Sequence, residues 1–303
     1  MKCMRQWYKI LYGKNGMKSK NEILNLIQQN IQNSSDLLYY SSVITEFNRA
    51  MSSPDVQIEK LSNIIEKDPG LTANVLRMAN SSYYGLSKRV MTVKHAVSLL
   101  GYVSLEKIFT VNVFSKSISK QRTAHGENLW KHSLAVAIAA QQIVSNIKPE
   151  MSELAFTAGL LHDIGKFLIM NLLPDSYNNL LKEFNKNPYQ YSIGLDNKFI
   201  GIDHQQVGEL FAKSWDLPQP IINVIRYHHN IDFAKDNKDI VAAVSVANNI
   251  VKGMELGQST SMLVELIPKW VWSYISLNKE DFYKIIPLIQ QKYNAYLAFL
   301  NIV

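Results

Sequence analysis

The sequence predicts an all-α protein: two helical units, an N-terminal helical region and a C-terminal helical bundle that ends in a helical tail. Apolar residues recur mainly at helical spacing, and the sustained alternation that a half-buried strand needs is scarce. Pro, Gly and Ser cut the chain into short helical segments joined by tight turns. With 303 residues and 47% hydrophobic content, there is material for one or two cores.

Residues 1–20 read as a basic tail, 21–124 as the N-terminal helical part, and 125–303 as the bundle with its extension. The tail holds six of the 32 basic residues and no acid, leaving 26 basic against 25 acidic side chains in the rest of the chain. A body so close to neutral has no broad electrostatic footprint for nucleic acid, and no direct sequence-specific nucleic-acid binding is expected. The segment Met4 to Tyr12 alternates aromatics with cations and suits either a docking tail or a short contact with an anionic surface. A single cysteine, Cys3, excludes an intrachain disulfide and a cysteine-built metal cluster, which suits a reducing compartment. No apolar run approaches the ~18 residues of a membrane span, so a cytoplasmic protein without a transmembrane segment is expected.

In the first unit, Leu61, Ile64 and Ile65 make one buried stripe of a helix started near Ser53-Pro54 and closed at Asp68-Pro69. A second helix carries Leu71, Val75 and Met78 and breaks at Asn80-Ser-Ser-Tyr-Tyr-Gly85. Thr92 can cap a helix through Leu100, Gly101 can take the left-handed closing conformation, and Ser104 can cap the next. The pattern lapses from Thr123 to Glu127, where the boundary is placed. The second unit has predicted helices around 129–146, 152–163, 204–214, 219–230 and 239–252, with Pro174, Pro188 and Gly194 marking a long link between the second and third. From Leu263 the chain is apolar, and the cluster Trp270, Trp272 and Tyr274 is expected to pack back on the body within the helical tail.

Five of the seven histidines lie beyond Asn128, within the second unit. His162 and Asp163, adjacent in Leu161-His-Asp-Ile-Gly-Lys166, lie about 100° apart on a helix and can reach one metal from neighbouring directions. His228-His229 repeats that spacing, and His132 and His204 could complete the shell from two other helices. Nitrogen and oxygen donors without thiolates suit zinc, iron, manganese or nickel, and a bridging carboxylate such as Asp163 suits a pair of ions. The alternative is that each histidine is separately hydrogen-bonded or exposed. Of the remaining two, His125 is expected to be exposed and His95 to be a core histidine. Lys166, three residues after Asp163, is placed to orient a phosphate or protonate a leaving alkoxide, or else stands in solvent.

These segments together resemble the bacterial HDOD family, a branch of the HD-domain metal-dependent phosphohydrolase superfamily. The resemblance runs from Ser35 to Lys252 and rests on Asp68-Pro-Gly-Leu71, Arg77 through Gly85, Ala96 through Gly101 and Ala158 through Lys166. Asp203-His204 through Gly208, Trp215-Asp-Leu-Pro218 and His228-His229 complete it. It implies an HD-like C-terminal bundle and one or two divalent ions (Fe, Mn, Zn or Ni) held by His132, His162, Asp163, His204, His228 and His229. Asp163 and Lys166 would be the catalytic residues if the chain is an enzyme. Three positions depart from the superfamily pattern. The final aspartate is replaced by Asn248, or by Asn249 if the register slips; Asn248 stays a candidate metal ligand, since a neutral amide can give one oxygen to a metal but brings no charge. Asn128 stands where some relatives carry a further acidic ligand, and the acidic residue expected eight before His204 is the short Asp196. Leu37 through Val43 replaces a proline-containing entry segment. The resemblance implies a regulatory signalling protein acting through a partner protein or a small phosphorylated ligand. A metal-dependent phosphohydrolase of phosphoesters or cyclic nucleotides is the alternative, and Asn80-Ser81-Ser82 would belong to the binding surface in the first case.

Overall fold

The computed structural model describes residues 22–25, 29, 46–47, 49–53, 56–66, 75, 78–79, 90, 94–106, 124–214 and 219–299. The basic tail, the Asn80-Ser81-Ser82 turn, the entry segment Leu37–Val43, and the motifs at Asp68-Pro69 and Trp215–Pro218 lie outside them. Among the described residues there is no strand, and the all-α expectation is met. No single described helix is long and apolar enough to cross a membrane.

Helix α1 (Ile58–Glu66) begins four residues beyond Pro54 and buries Leu61, Ile64 and Ile65, the stripe read from the sequence. With Phe47, Val75, Val97 and Leu105 it forms a small apolar cluster. Gly101 takes the expected left-handed φ, +69°, but residues 94–106 stay helical through it, so it does not end the helix at Leu100 and Ser104 does not start a new one. His95 lies on the exposed side of that stretch, not in the core, because Ala96 and Val97 take the inward face.

The larger cluster is built around α2 (Ala124–Ser145), which is buried over most of its length. The polar lapse before Asn128 is its first turn, with Ala124 and Glu127 in solvent. Helix α3 (Ser152–Leu161) crosses α2 so closely at Gly159 that a Cβ there would stand 2.8 Å from the Ala137 Cα. The predicted long link is instead three helices, α4 (Ile164–Leu172), α5 (Pro174–Lys186) and α6 (Ser192–Phe199). Pro174 starts α5 where a missing N–H costs nothing, and seven of the nine residues of α4 are buried, which leaves little polar face to reveal a period. Helices α7 (His204–Ser214), α8 (Gln219–Tyr227) and α9 (Lys238–Gly253) follow the predicted spans, α8 ending three residues early.

The chain then runs without helix from 255 to 268, and α10 (Trp272–Ile275) and α11 (Lys279–Phe299) form the tail. The tail packs on α2 as expected, but through other residues. Ile285, Ile289 and Tyr293 are buried and Tyr296 stacks on Phe156, whereas Trp272 and Tyr274 are exposed and Trp270 is half-buried. Val271 and Ile275 occupy the inward positions of that short turn, so the aromatics beside them point away.

Candidate metal centre

His162 and Asp163 do not continue a helix. They form the two-residue turn between α3 and α4, and Asp163 sits at φ −100°, ψ 16°, the sparsely populated bridge region. That turn aims both side chains inward. Helix α4 then crosses α7 at Gly165, where a Cβ would lie 1.9 Å from the His204 carbonyl oxygen. A glycine is therefore required for His204, the first residue of α7, to come up against Asp163. His132 enters from the middle of α2, and the chain at Gly257, with φ +70°, lies on its backbone nitrogen. His228 and His229 lie just past the end of α8.

The six predicted donor side chains meet. Asp163 Oδ1 is 3.3 Å from His204 Nε2 and 3.5 Å from His228 Nε2, and those two nitrogens are 3.3 Å apart. His229 completes this group, and His132, His162 and Asp163 form a second one. Within each group the donor atoms lie no more than 4.8 Å from one another, and Asp163 belongs to both. The side chains of His162, Asp163, His204, His228 and His229 are at most 1% exposed.

The donor set fits a divalent cation. Bond lengths of about 2.0–2.2 Å in tetrahedral geometry separate ligand atoms by about 3.3–3.5 Å, the spacing of the Asp163, His204 and His228 atoms. His132 Nε2, His162 Nε2, His229 Nε2 and Asp163 Oδ1 are buried without a hydrogen-bond partner, an arrangement costly to keep empty-handed in a core. Meanwhile the opposite ring nitrogens are held: His162 Nδ1 by the Gly159 carbonyl at 2.7 Å, and His228 Nδ1 by the Val224 and Ile225 carbonyls at 3.1 Å. His204 Nδ1 meets Asp196 Oδ2 at 2.5 Å, and His229 Nδ1 meets Glu265 Oε1 at 2.8 Å. Donation from each Nδ1–H leaves the Nε2 lone pair facing the common centre, the usual outer support of metal-ligating imidazoles.

Protonation favours the same state. Burial pushes the His228 imidazole down to about 3, with the neighbouring His162 and His204 adding to it against Asp163. Burial likewise holds His132 and His229 well below the ordinary histidine range, so these rings are neutral near pH 7, the state in which an imidazole can bind a metal. For Asp163 burial opposes ionisation, but Lys166 and the His162 and His228 contacts outweigh it and hold the carboxyl well below its usual range.

Lys166 does not stand in solvent. It is 1% exposed, and its Nζ donates to Asp163 Oδ2 at 2.8 Å and to Ser259 Oγ at 2.7 Å; the Ser259 hydroxyl donates to the same Oδ2 at 2.9 Å. Asn248 is buried on α9, one turn beyond Ser245, whose hydroxyl donates to the His228 carbonyl, and its Oδ1 lacks a partner. Asn249 is committed elsewhere, accepting from the Glu265 N–H at 2.7 Å and donating to the Ser245 carbonyl at 3.3 Å, which removes the one-residue alternative for Asn248. Asn128 contributes its carbonyl to the Gln258 N–H. His125, expected in solvent, is half-buried beside Tyr177 and Phe184, with Nε2 3.1 Å from the Tyr177 hydroxyl; burial and Lys166 lower it to about 4.

Sequence reasoning missed Ser259 and Glu265. Both lie in the segment after α9, where Glu265 also pairs with Lys252 at 3.2 Å. No local pattern marks them, since a lone Ser and a lone Glu in a helix-free stretch look like any surface loop. Asp196 carried a signal, its eight-residue spacing ahead of His204.

The family model for the HDOD domain matches residues 37–231. The chain belongs to the HDOD domain family. A Treponema pallidum protein described only as uncharacterized is 26% identical over 259 residues, 81% of this chain and 47% of the relative, so the chain spans about half that protein's length. Among solved structures, a Marinobacter aquaeolei protein assigned to signal transduction superposes with a TM-score of 0.70 at 17% identity, covering 97% of this chain and 63% of that one. A Shewanella amazonensis protein with a phosphohydrolase assignment gives 0.60 at 20% identity, covering 90% and 94%. These structural likenesses establish a shared fold.

Proposed function

We propose that this HDOD protein is a cytoplasmic regulator that acts by binding a signalling partner protein or a small phosphorylated ligand, with a divalent metal holding its HD-like bundle together. One observation carries the reading: the donor side chains are sealed. A hydrolytic centre must admit a phosphoester to the ion, whereas a structural centre gains from closure on every side. Here the segment 257–265 covers the cluster, with Gly257 on His132, Ser259 on Asp163 and Glu265 on His229. The signal-transduction assignment of the Marinobacter protein supports the same reading.

In this account His204, His228, His229 and Asp163 hold the ion, with His132 and His162 beside them. Lys166 is a positioning residue that orients Asp163, and Asn248 stands where an anionic ligand would add charge. A second reading is favoured by the sharing of Asp163 between two donor groups. A bound ion would then supply Lewis acidity toward a phosphoester or cyclic nucleotide, with Asp163 and Lys166 as the residues on which activity depends. The phosphohydrolase assignment of the Shewanella protein supports that reading.

Elemental analysis of protein purified without added metal, followed by phosphodiesterase assays with Mn²⁺ and Fe²⁺, separates the two. The regulatory reading expects bound metal, a higher melting temperature on loading, and no turnover. Turnover that vanishes in Asp163→Ala establishes the enzyme instead. Absence of metal under every loading condition overturns both.

A further inference from the structure

The two donor groups share one carboxylate, and its two oxygens are in different situations. Asp163 Oδ1 has no hydrogen-bond partner and faces His204 Nε2 and His228 Nε2 at 3.3 and 3.5 Å. Asp163 Oδ2, the oxygen on the His162 side at 3.4 Å from His162 Nε2, already receives the Lys166 ammonium at 2.8 Å and the Ser259 hydroxyl at 2.9 Å. Both Lys166 and Ser259 are buried, and they are hydrogen-bonded to each other, so neither is free to swing into solvent.

We infer that the centre holds a single divalent ion, in the group formed by Asp163 Oδ1, His204, His228 and His229, and that the Lys166 ammonium stands in for a second ion on the Oδ2 side. This rests on the proposal that the cluster binds metal, and it assigns the ion's position and number. The argument is one of charge and of lone pairs. An ionised carboxylate has about four lone-pair sites, two per oxygen, and both of those on Oδ2 are taken by an ammonium and a hydroxyl, which blocks the bridge in which each oxygen binds its own cation. A divalent ion on that side would also have to sit against the ammonium inside a water-free core, where like charges repel most strongly. The charge count agrees. Three carboxylates (Asp163, Asp196, Glu265) face two buried lysines (Lys166, Lys252), a net charge of −1, so one divalent ion leaves the cluster at +1 whereas two would leave it at +3. His132 and His162 retain unpartnered Nε2 atoms, so a latent second set of donors persists behind the lysine.

The test is metal stoichiometry by equilibrium dialysis of the full chain against Zn²⁺ alone, with elemental analysis, for wild type, His204→Ala, His132→Ala and Lys166→Met. The expected result is one ion per chain in wild type, none in His204→Ala, one in His132→Ala, and two in Lys166→Met, where a neutral side chain of similar length frees Oδ2. Two ions in wild type overturn the inference and leave the metal-binding proposal standing. One ion that is lost in His132→Ala but kept in His204→Ala does the same, because it puts the ion on the wrong side. No ion in wild type overturns both. If Lys166→Met does not fold, the contrast between the two histidine variants decides the question without it.

Discussion

Adding one methyl group at Gly165 is expected to damage the candidate metal centre from outside it. The ideal Cβ of Gly165→Ala would stand 1.9 Å from the His204 carbonyl oxygen and 2.9 Å from the Gly208 nitrogen. Non-bonded contacts settle at about 3.5 Å, so α4 and α7 must part by about 1.5 Å, and both obstacles are backbone that cannot rotate aside. Overpacking of this kind costs about 1–3 kcal/mol, or a melting temperature lower by several degrees for a chain of this size. His204 moves with its backbone, and its Nε2 leaves the 3.3 Å spacing to Asp163 and His228 that a shared ion requires within about 0.2 Å. Metal affinity should fall by at least the ~10–100-fold typical of lost outer support. Gly194→Ala is the control: it lies in α6 with nothing within 4 Å of its Cβ, and the gain in helix propensity should leave stability unchanged or raised by up to about 1 kcal/mol. Denaturant unfolding of metal-free protein and Zn²⁺ titration of the folded protein give the two readings. If Gly165→Ala matches Gly194→Ala in both, the close crossing does not position His204 and the reasoning fails.

Asp196→Asn and Glu265→Gln keep size but remove the charge that orients His204 and His229; each should weaken Zn²⁺ binding about 10–100-fold in the same titration, while stability of the metal-free protein changes far less. His125 is lowered to about 4 in the folded chain against about 6.5 unfolded, so the unfolded state binds the extra proton first and stability falls as pH drops from 6.5 toward 4. Unfolding free energies measured across that window should decline less in His125→Phe, by a difference on the order of 1–3 kcal/mol, and an identical slope refutes the assignment. Phe156→Ala removes a fully buried ring that stacks on Tyr296 and should cost about 3–5 kcal/mol in denaturant unfolding, with a blue- or red-shifted tyrosine signal reporting release of α11. Tyr283→Ser, on the exposed face of the same helix, should stay within about 0.5 kcal/mol of wild type.

Helices α1 and α7 were legible because each shows one apolar stripe and one polar face, the pattern that periodicity detects. Helix α4 was not, since burial on nearly all sides erases the contrast, and Pro174 looked like a break when it is a helix start. The tail was placed correctly against the body but with the wrong residues inward: counting aromatics suggested Trp272 and Tyr274, while the register of one short turn buries Val271 and Ile275. His95 and His125 were exchanged for a similar reason. A histidine among valines need not face the core, and a histidine in a polar stretch can be covered by a helix from elsewhere, here by Tyr177 and Phe184 of α5.

Residue type and order were enough to name six candidate donor side chains that the fold brings together, because imidazoles and a carboxylate without thiolates define a class of chemistry whatever the distances between them. Asn248 was singled out by the family resemblance, as a neutral side chain in a position that is acidic in the superfamily. Which oxygen of Asp163 is free, that Lys166 is buried against the other, and that Ser259 and Glu265 close the cluster were decided only in three dimensions. Those contacts join residues 93 and 96 positions apart, or come from a segment with no pattern of its own, and the dielectric and geometric conditions that give them force exist only once the helices have packed around them.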